Sequence, residues 1–179
     1  MRLAFLGRWL ARSGRPAWNS SAGQQTAEPG DAASQFDSGC HLLGGNGADP
    51  APTAEWYLKA ARQGDGVAQF NLGLMYGQGK GVLRDEAAAV MWLRKAAELG
   101  NAGAQYHMGV RLHRASKGGQ PLGASESRVE AFKWLQLAVA RAYPGAASAL
   151  EFVTLGMRRE EVDEGSRRAL TFAIGGAKS

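Results

Sequence analysis

Residues 66–101, GVAQFNLGLMYGQGKGVLRDEAAAVMWLRKAAELGN, decide the fold, because most of the remaining chain reads as better or worse copies of them. The stretch reads as two helices joined by a glycine turn. Self-similarity of this kind marks a repeat architecture, in which each unit buries its apolar face only by stacking on the next. Upstream, ASQFDSGCHLL (33–43) matches VAQFNLGLMYG (67–77) at an offset of 34, which sets Gln35 on Gln69, Phe36 on Phe70 and Gly39 on Gly73, then Gly45 on Gly79 and Gly47 on Gly81. The offset then becomes 36 and sets Asp49 on Asp85, Trp56 on Trp92, Lys59 on Lys95 and Gly64 on Gly100. A turn shorter by two residues explains the change.

Downstream, AGAQYHMGVRL (102–112) keeps Ala104, Gln105 and Gly109 in register, but Trp134 lies 42 residues from Trp92. Six residues are therefore inserted in the turn HRASKGGQPLGASE (113–126), which is expected to give this copy surface of its own. Ser127, with Glu130 three residues on, is expected to open the following helix as a capping box. After Pro144 comes a fourth first helix, GAASALEFVTLG (145–156), with Glu151 where the other copies carry a helical glycine. The polar run MRREEVDEGSRRALTFAIGG (157–176) then reads as a helix interrupted by Gly165, with acids early and arginines late, as the helix dipole favours. It is expected to cap the array, since a terminal repeat turns one face to water.

The shared residue types have physical reasons. Asp49 and Asp85 stand where second helices begin, and an aspartate there accepts hydrogen bonds from backbone amides that have no partner within the helix; Pro50 suits a first helical position. Gly64 and Gly100 close second helices, where a left-handed residue is needed. Gly39, Gly73 and Gly109 fall inside first helices, at a cost of about 1 kcal/mol each relative to alanine. That cost predicts a partner helix crossing closely at each.

These residues carry a family resemblance. The pattern Ala68-x-x-x-Leu72-Gly73-x-x-Tyr76-x-x-Gly79-x-Gly81-Val82-x-x-Asp85-x-x-x-Ala89-x-x-Trp92-x-x-Lys95-Ala96-Ala97-x-x-Gly100 resembles the Sel1-like repeat, a relative of the tetratricopeptide repeat. Met157-x-x-Glu160-Glu161 is similar to the capping helix that follows such arrays in bacterial members. The resemblance implies an all-α fold, a right-handed αα-solenoid with a C-terminal capping helix, whose members serve as adaptors in multiprotein complexes. Expected boundaries are repeat 1 at 32–65, repeat 2 at 66–101, repeat 3 at 102–143 and a half repeat with cap at 144–179.

Other chemistries fit less well. The formal net charge is +5, yet residues 32–143 hold twelve Lys/Arg against nine Asp/Glu, interspersed rather than clustered, which argues against nucleic acid as a partner. Cys40 is the single cysteine, so neither an intrachain disulfide framework nor a cysteine-rich metal site can form. The turn GQGKG lacks the spacing of a phosphate-binding loop, and position 74 is Leu. His107 and His113 lie six apart, which does not put two metal ligands on one helical face, and the histidines read as exposed helix residues. No Ser-x-x-Lys nucleophile or Ser/His/Asp set stands out. A hydrolase of β-lactamase type, an activity associated with some cysteine-rich relatives, is thus the alternative reading. No cofactor is expected.

Binding of a protein or peptide partner remains. Equivalent first-helix positions read Phe36/Cys40, Phe70/Leu74, Tyr106/Val110 and Ser148/Phe152, one aromatic-aliphatic pair per copy in most of the array. Either this stripe packs first helices together, or part of it, with Asn71, His107 and Arg111 beside it, lines a peptide groove. At the start of the chain, residues 1–15 form a basic amphipathic segment, with Arg8, Arg12 and Arg15 on one face and Leu3, Leu6, Trp9 and Leu10 largely opposite. A mitochondrial presequence, a membrane-surface helix, a helix packed on the first repeat and disorder all fit it. Residues 16–31 read as a linker, and the expected location is cytoplasmic, with a mitochondrial or membrane-peripheral alternative through residues 1–15.

Overall fold

A computed structural model of the protein describes residues 31–43, 50–118 and 121–175. The amphipathic segment, the linker up to residue 30, the glycines at 45 and 47, and the expected cap Asp49 lie outside the described residues. Within them the chain forms eight α-helices: α1 (Ala32–Leu43), α2 (Pro50–Arg62), α3 (Gly66–Gln78), α4 (Glu86–Glu98), α5 (Ala102–Ser116), α6 (Pro121–Ala140), α7 (Ala146–Thr154) and α8 (Arg159–Gly175). From α1 to α7 each helix packs chiefly on its sequence neighbours, as an α-solenoid requires, whereas α8 packs on α6.

The in-helix glycines mark the crossings. A Cβ on Gly39 would stand 2.6 Å from the Tyr57 ring, one on Gly73 2.8 Å from Leu93 Cγ, and one on Gly109 2.5 Å from Leu135 Cγ. Tyr57, Leu93 and Leu135 occupy equivalent places on α2, α4 and α6, and all are fully buried. Each first helix therefore lies against its own second helix at backbone-to-side-chain distance, and a glycine is what permits it.

Caps and closures repeat as well. Asp85 accepts a hydrogen bond from the Ala88 amide at 3.0 Å. Asp65 and Asn101 do the same for α3 and α5, with Asp65 taking the amides of Val67 and Ala68 and Asn101 that of Ala104. Gly64 and Gly100 are left-handed, with φ of +92° and +82°. The third copy makes the same closure with Ala142, at φ +52°: the Ala142 and Tyr143 amides donate to the Val139 and Ala138 carbonyls, as Gly100 and Asn101 donate to Ala97 and Ala96. Side chains also join the units. The buried Gln69 donates through Nε2 to the Ala61 carbonyl at 3.0 Å, and Gln105 to the Ala97 carbonyl at 3.1 Å. α3 and α5 thereby each add a second hydrogen bond to a last-turn carbonyl of the preceding second helix that already accepts from the closing glycine.

Three expectations about repeat 3 and the cap need correction. The insertion does not form an enlarged turn, because α5 runs on to Ser116 and α6 begins at Pro121, so the extra residues become helix. Ser127 consequently lies inside α6 and is no cap; proline at the first helical position was the signal. Gly165 does not interrupt α8, which is continuous from Arg159 to Gly175. Instead it admits Phe132, whose ring would lie 2.7 Å from an added Cβ.

An ionic seam holds α8 on α6. Glu161, 4% exposed, accepts from Arg128 Nη2 at 2.6 Å, from the Ser125 hydroxyl and from the Arg158 amide. Burial opposes ionisation of this carboxyl, but those hydrogen bonds from Arg128, Ser125 and Arg158 prevail and hold its pKa at about 2. Arg168 meanwhile pairs with Glu126, Glu130 and Glu164. Phe172 sets its ring edge-on to Trp134, with centroids 5.4 Å apart.

Candidate functional site

The apolar stripe of the first helices divides in two. Phe36 and Phe70 are 2% and 3% exposed and belong to the core, the first stacked on Tyr57 at 5.5 Å. Asn71 is also buried, so these three residues cannot line an open groove. Leu74 is half-buried and packs into the cluster that contains Leu93 and Met108. α3 is covered along most of its circumference, because interior helices of a solenoid have neighbours on both sides.

At the third copy the covering thins out. Tyr106 packs against Tyr143 at 5.2 Å and His107 at 5.4 Å. His107 itself lies 5.7 Å from the Phe70 ring, half-buried rather than exposed, and burial pushes its pKa down. Arg111 reaches across to α4 and pairs with Glu86. Of the eight residues expected at a groove, Val110 lines a cavity between the third and fourth first helices.

That cavity, of about 260 Å³, lies between α5 and α7. Its lining is Val110, His113, Arg114 and Lys117 from α5 and Ala149, Phe152 and Val153 from α7. Phe152 is 59% exposed. Its counterparts Cys40, Leu74 and Val110 are half-buried, each in a copy followed by a further first helix; among the described residues no first helix lies beyond α7. His113 packs edge-on to Phe152 with centroids 5.6 Å apart. Its pKa is lowered by burial first, then by Lys117 and Arg128, so the ring is neutral near pH 7. Lys117 Nζ sits 4.8 Å over the Phe152 ring. The groove thus has an apolar floor and a cationic rim supplied by Arg114 and Lys117, both exposed and neither within ion-pair distance of a carboxylate among the described residues.

Sequence reasoning placed Phe152 in the stripe but missed His113, Arg114 and Lys117, having assigned them to a turn. The i, i+3, i+4 and i+7 spacing of Val110, His113, Arg114 and Lys117 was the available signal, since it defines one helical face. A larger recess of about 390 Å³ opens between α6 and α8, but Glu164, Arg167 and Arg168 in its wall are tied in ion pairs with one another. Among the described residues no group of three or more His, Cys, Asp or Glu is placed to hold a metal, and no helix is long and apolar enough to cross a membrane.

Comparison with known proteins agrees with this architecture. The family model for the Sel1 repeat matches residues 32–65, 66–101 and 102–143. Among solved structures, the protective antigen c5321 of uropathogenic Escherichia coli, described as displaying an SLR fold, is 27% identical with a TM-score of 0.72. The match covers 95% of this chain and 37% of that one, so the chain spans little more than a third of the antigen's length. A Sel1 repeat protein from Oxalobacter formigenes is 31% identical over 68% of this chain and 89% of its own, with a TM-score of 0.58. No curated protein gave a significant match. Sel1-repeat proteins are generally non-catalytic scaffolds that bind other proteins. With three matched repeats, glycine-mediated crossings at each and an all-helical solenoid among the described residues, the chain belongs to the Sel1 repeat family.

Proposed function

We propose that this protein is a non-catalytic adaptor that captures a protein partner in the groove between α5 and α7. The observation that carries the reading is Phe152, a large aromatic left 59% exposed where the equivalent Cys40, Leu74 and Val110 of the earlier copies are half-buried. Leu155, just past the end of α7, is 82% exposed and extends the apolar surface. Contiguous exposed apolar residues rimmed by charge mark interaction sites, whereas scattered ones do not. A rigid array suits such a role because the groove is preformed and little conformational entropy is lost on binding.

The test is affinity purification of the tagged full chain and of Phe152→Glu, with partners identified by mass spectrometry. Because Phe152 is mostly in water, the variant is expected to melt within about 2 °C of the parent. Specific partners should be lost from it. Recovery of the same partners in the same yield would overturn the assignment to this groove.

A further inference from the structure

We infer that the occupant of the α5–α7 groove is an extended acidic peptide segment, which inserts one aromatic or branched aliphatic side chain between Val110 and Phe152 and sets carboxylates on Arg114 and Lys117. The inference rests on the reading of that groove as the interaction surface and adds the chemistry of what it accepts. Size is the first argument. Small-molecule sites usually enclose about 300–1,000 Å³, and this cavity, at about 260 Å³, falls below that range and suits one bulky side chain. Charge is the second. Arg114 and Lys117 face the groove without a carboxylate in ion-pair distance among the described residues. The acid on α7, Glu151, is two residues from Ala149 and two from Val153, which puts it on the opposite side of that helix from the groove.

Nucleic acid would answer the same charges less well. Sequence-tolerant binding of single strands needs several stacking platforms along a basic track, and Phe152 is the one exposed aromatic lining this cavity. A carboxylate on Lys117 also leaves its contact with Phe152 in place, so the aromatic floor and the ionic rim can be engaged together.

Phage display of random twelve-residue peptides on the immobilised full chain at 50 mM NaCl, counter-selected on Phe152→Glu, tests this. The recovered sequences should share an aromatic, Leu or Ile side chain within about two residues of two or more Asp/Glu. Made synthetically and followed by fluorescence anisotropy, their consensus should weaken at least about tenfold on the double variant Arg114→Glu, Lys117→Glu, and several-fold between 50 and 300 mM NaCl. The same double variant should gain affinity for a consensus in which Lys replaces Glu, a rescue that damage to the fold would not give. Basic or uncharged consensus peptides, indifference to the charge reversal, or tighter binding of single-stranded RNA would overturn the acidic occupant while leaving the groove as an interaction surface. Failure to recover any peptide that depends on Phe152 would overturn both.

Discussion

Substituting Gly109 by alanine sets two opposed effects against each other, and the structure decides which wins. Alanine is the better helix former by about 1 kcal/mol, so at an open helical site it stabilises. At Gly109 the new Cβ would stand 2.5 Å from Leu135 Cγ and 3.0 Å from the Ala131 carbonyl oxygen. Leu135 is fully buried and the carbonyl belongs to α6 itself, so relief requires α5 and α6 to part by several tenths of an ångström. Overpacking of this kind costs about 1–3 kcal/mol. Net of the propensity gain, Gly109→Ala should destabilise by up to about 2 kcal/mol, or as much as roughly 8 °C in melting temperature for a chain of this size. Gly123 is the internal control: it lies in α6, it is exposed, and an added Cβ there meets nothing within 4 Å. Gly123→Ala should therefore stabilise by about 0.5–1 kcal/mol. Thermal and urea melts followed by circular dichroism measure both. Equal stabilisation by the two substitutions would refute the claim that Gly109 is kept for the helix crossing.

The α6–α8 seam makes stability depend on acid. The Glu161 pKa is lowered from 4.5 to about 2 in the folded chain, so its contribution, at most about 3 kcal/mol, is full above pH 4.5 and is lost as pH falls toward 2. Melting temperature followed from pH 6 to 3 should drop more steeply for the parent than for Glu161→Gln, and parallel curves would count against the seam. Ala142 holds φ +52°, where a Cβ is strained by about 1–2 kcal/mol, so Ala142→Gly should raise stability by about 1 kcal/mol; a loss would mean the closure is unstrained. Asp65 accepts two amide hydrogen bonds at 2.8 Å, and Asp65→Ala should cost about 1 kcal/mol in urea unfolding, with no change in the midpoint as the contrary result.

Much of this was legible because it is local or periodic. The offsets of 34, 36 and 42 residues mark the copies, and a glycine inside a helix is a local cost that demands a local reason, here supplied by Tyr57, Leu93 and Leu135. Asp85, Gly64 and Gly100 act on backbone within a few residues of themselves, so their roles follow from short-range chemistry. The caps at Asp65 and Asn101 obey the same rule. The insertion misled because Gly118, Gly119 and Gly123 look like loop residues, while Pro121 is compatible with a loop or with a first helical position.

The sequence by itself determined a stack of helical pairs, because repeat register, glycine placement and capping chemistry are all written within one unit's length. It determined neither the seam, whose partners Arg128 and Glu161 are 33 residues apart, nor which part of the apolar stripe is surface. Leu74, Val110 and Phe152 occupy the same place in successive copies, yet two are half-buried and the third is open to solvent. Burial of a side chain depends on what packs over it, and in a solenoid that covering comes from the next unit, so tertiary structure alone separated core from groove.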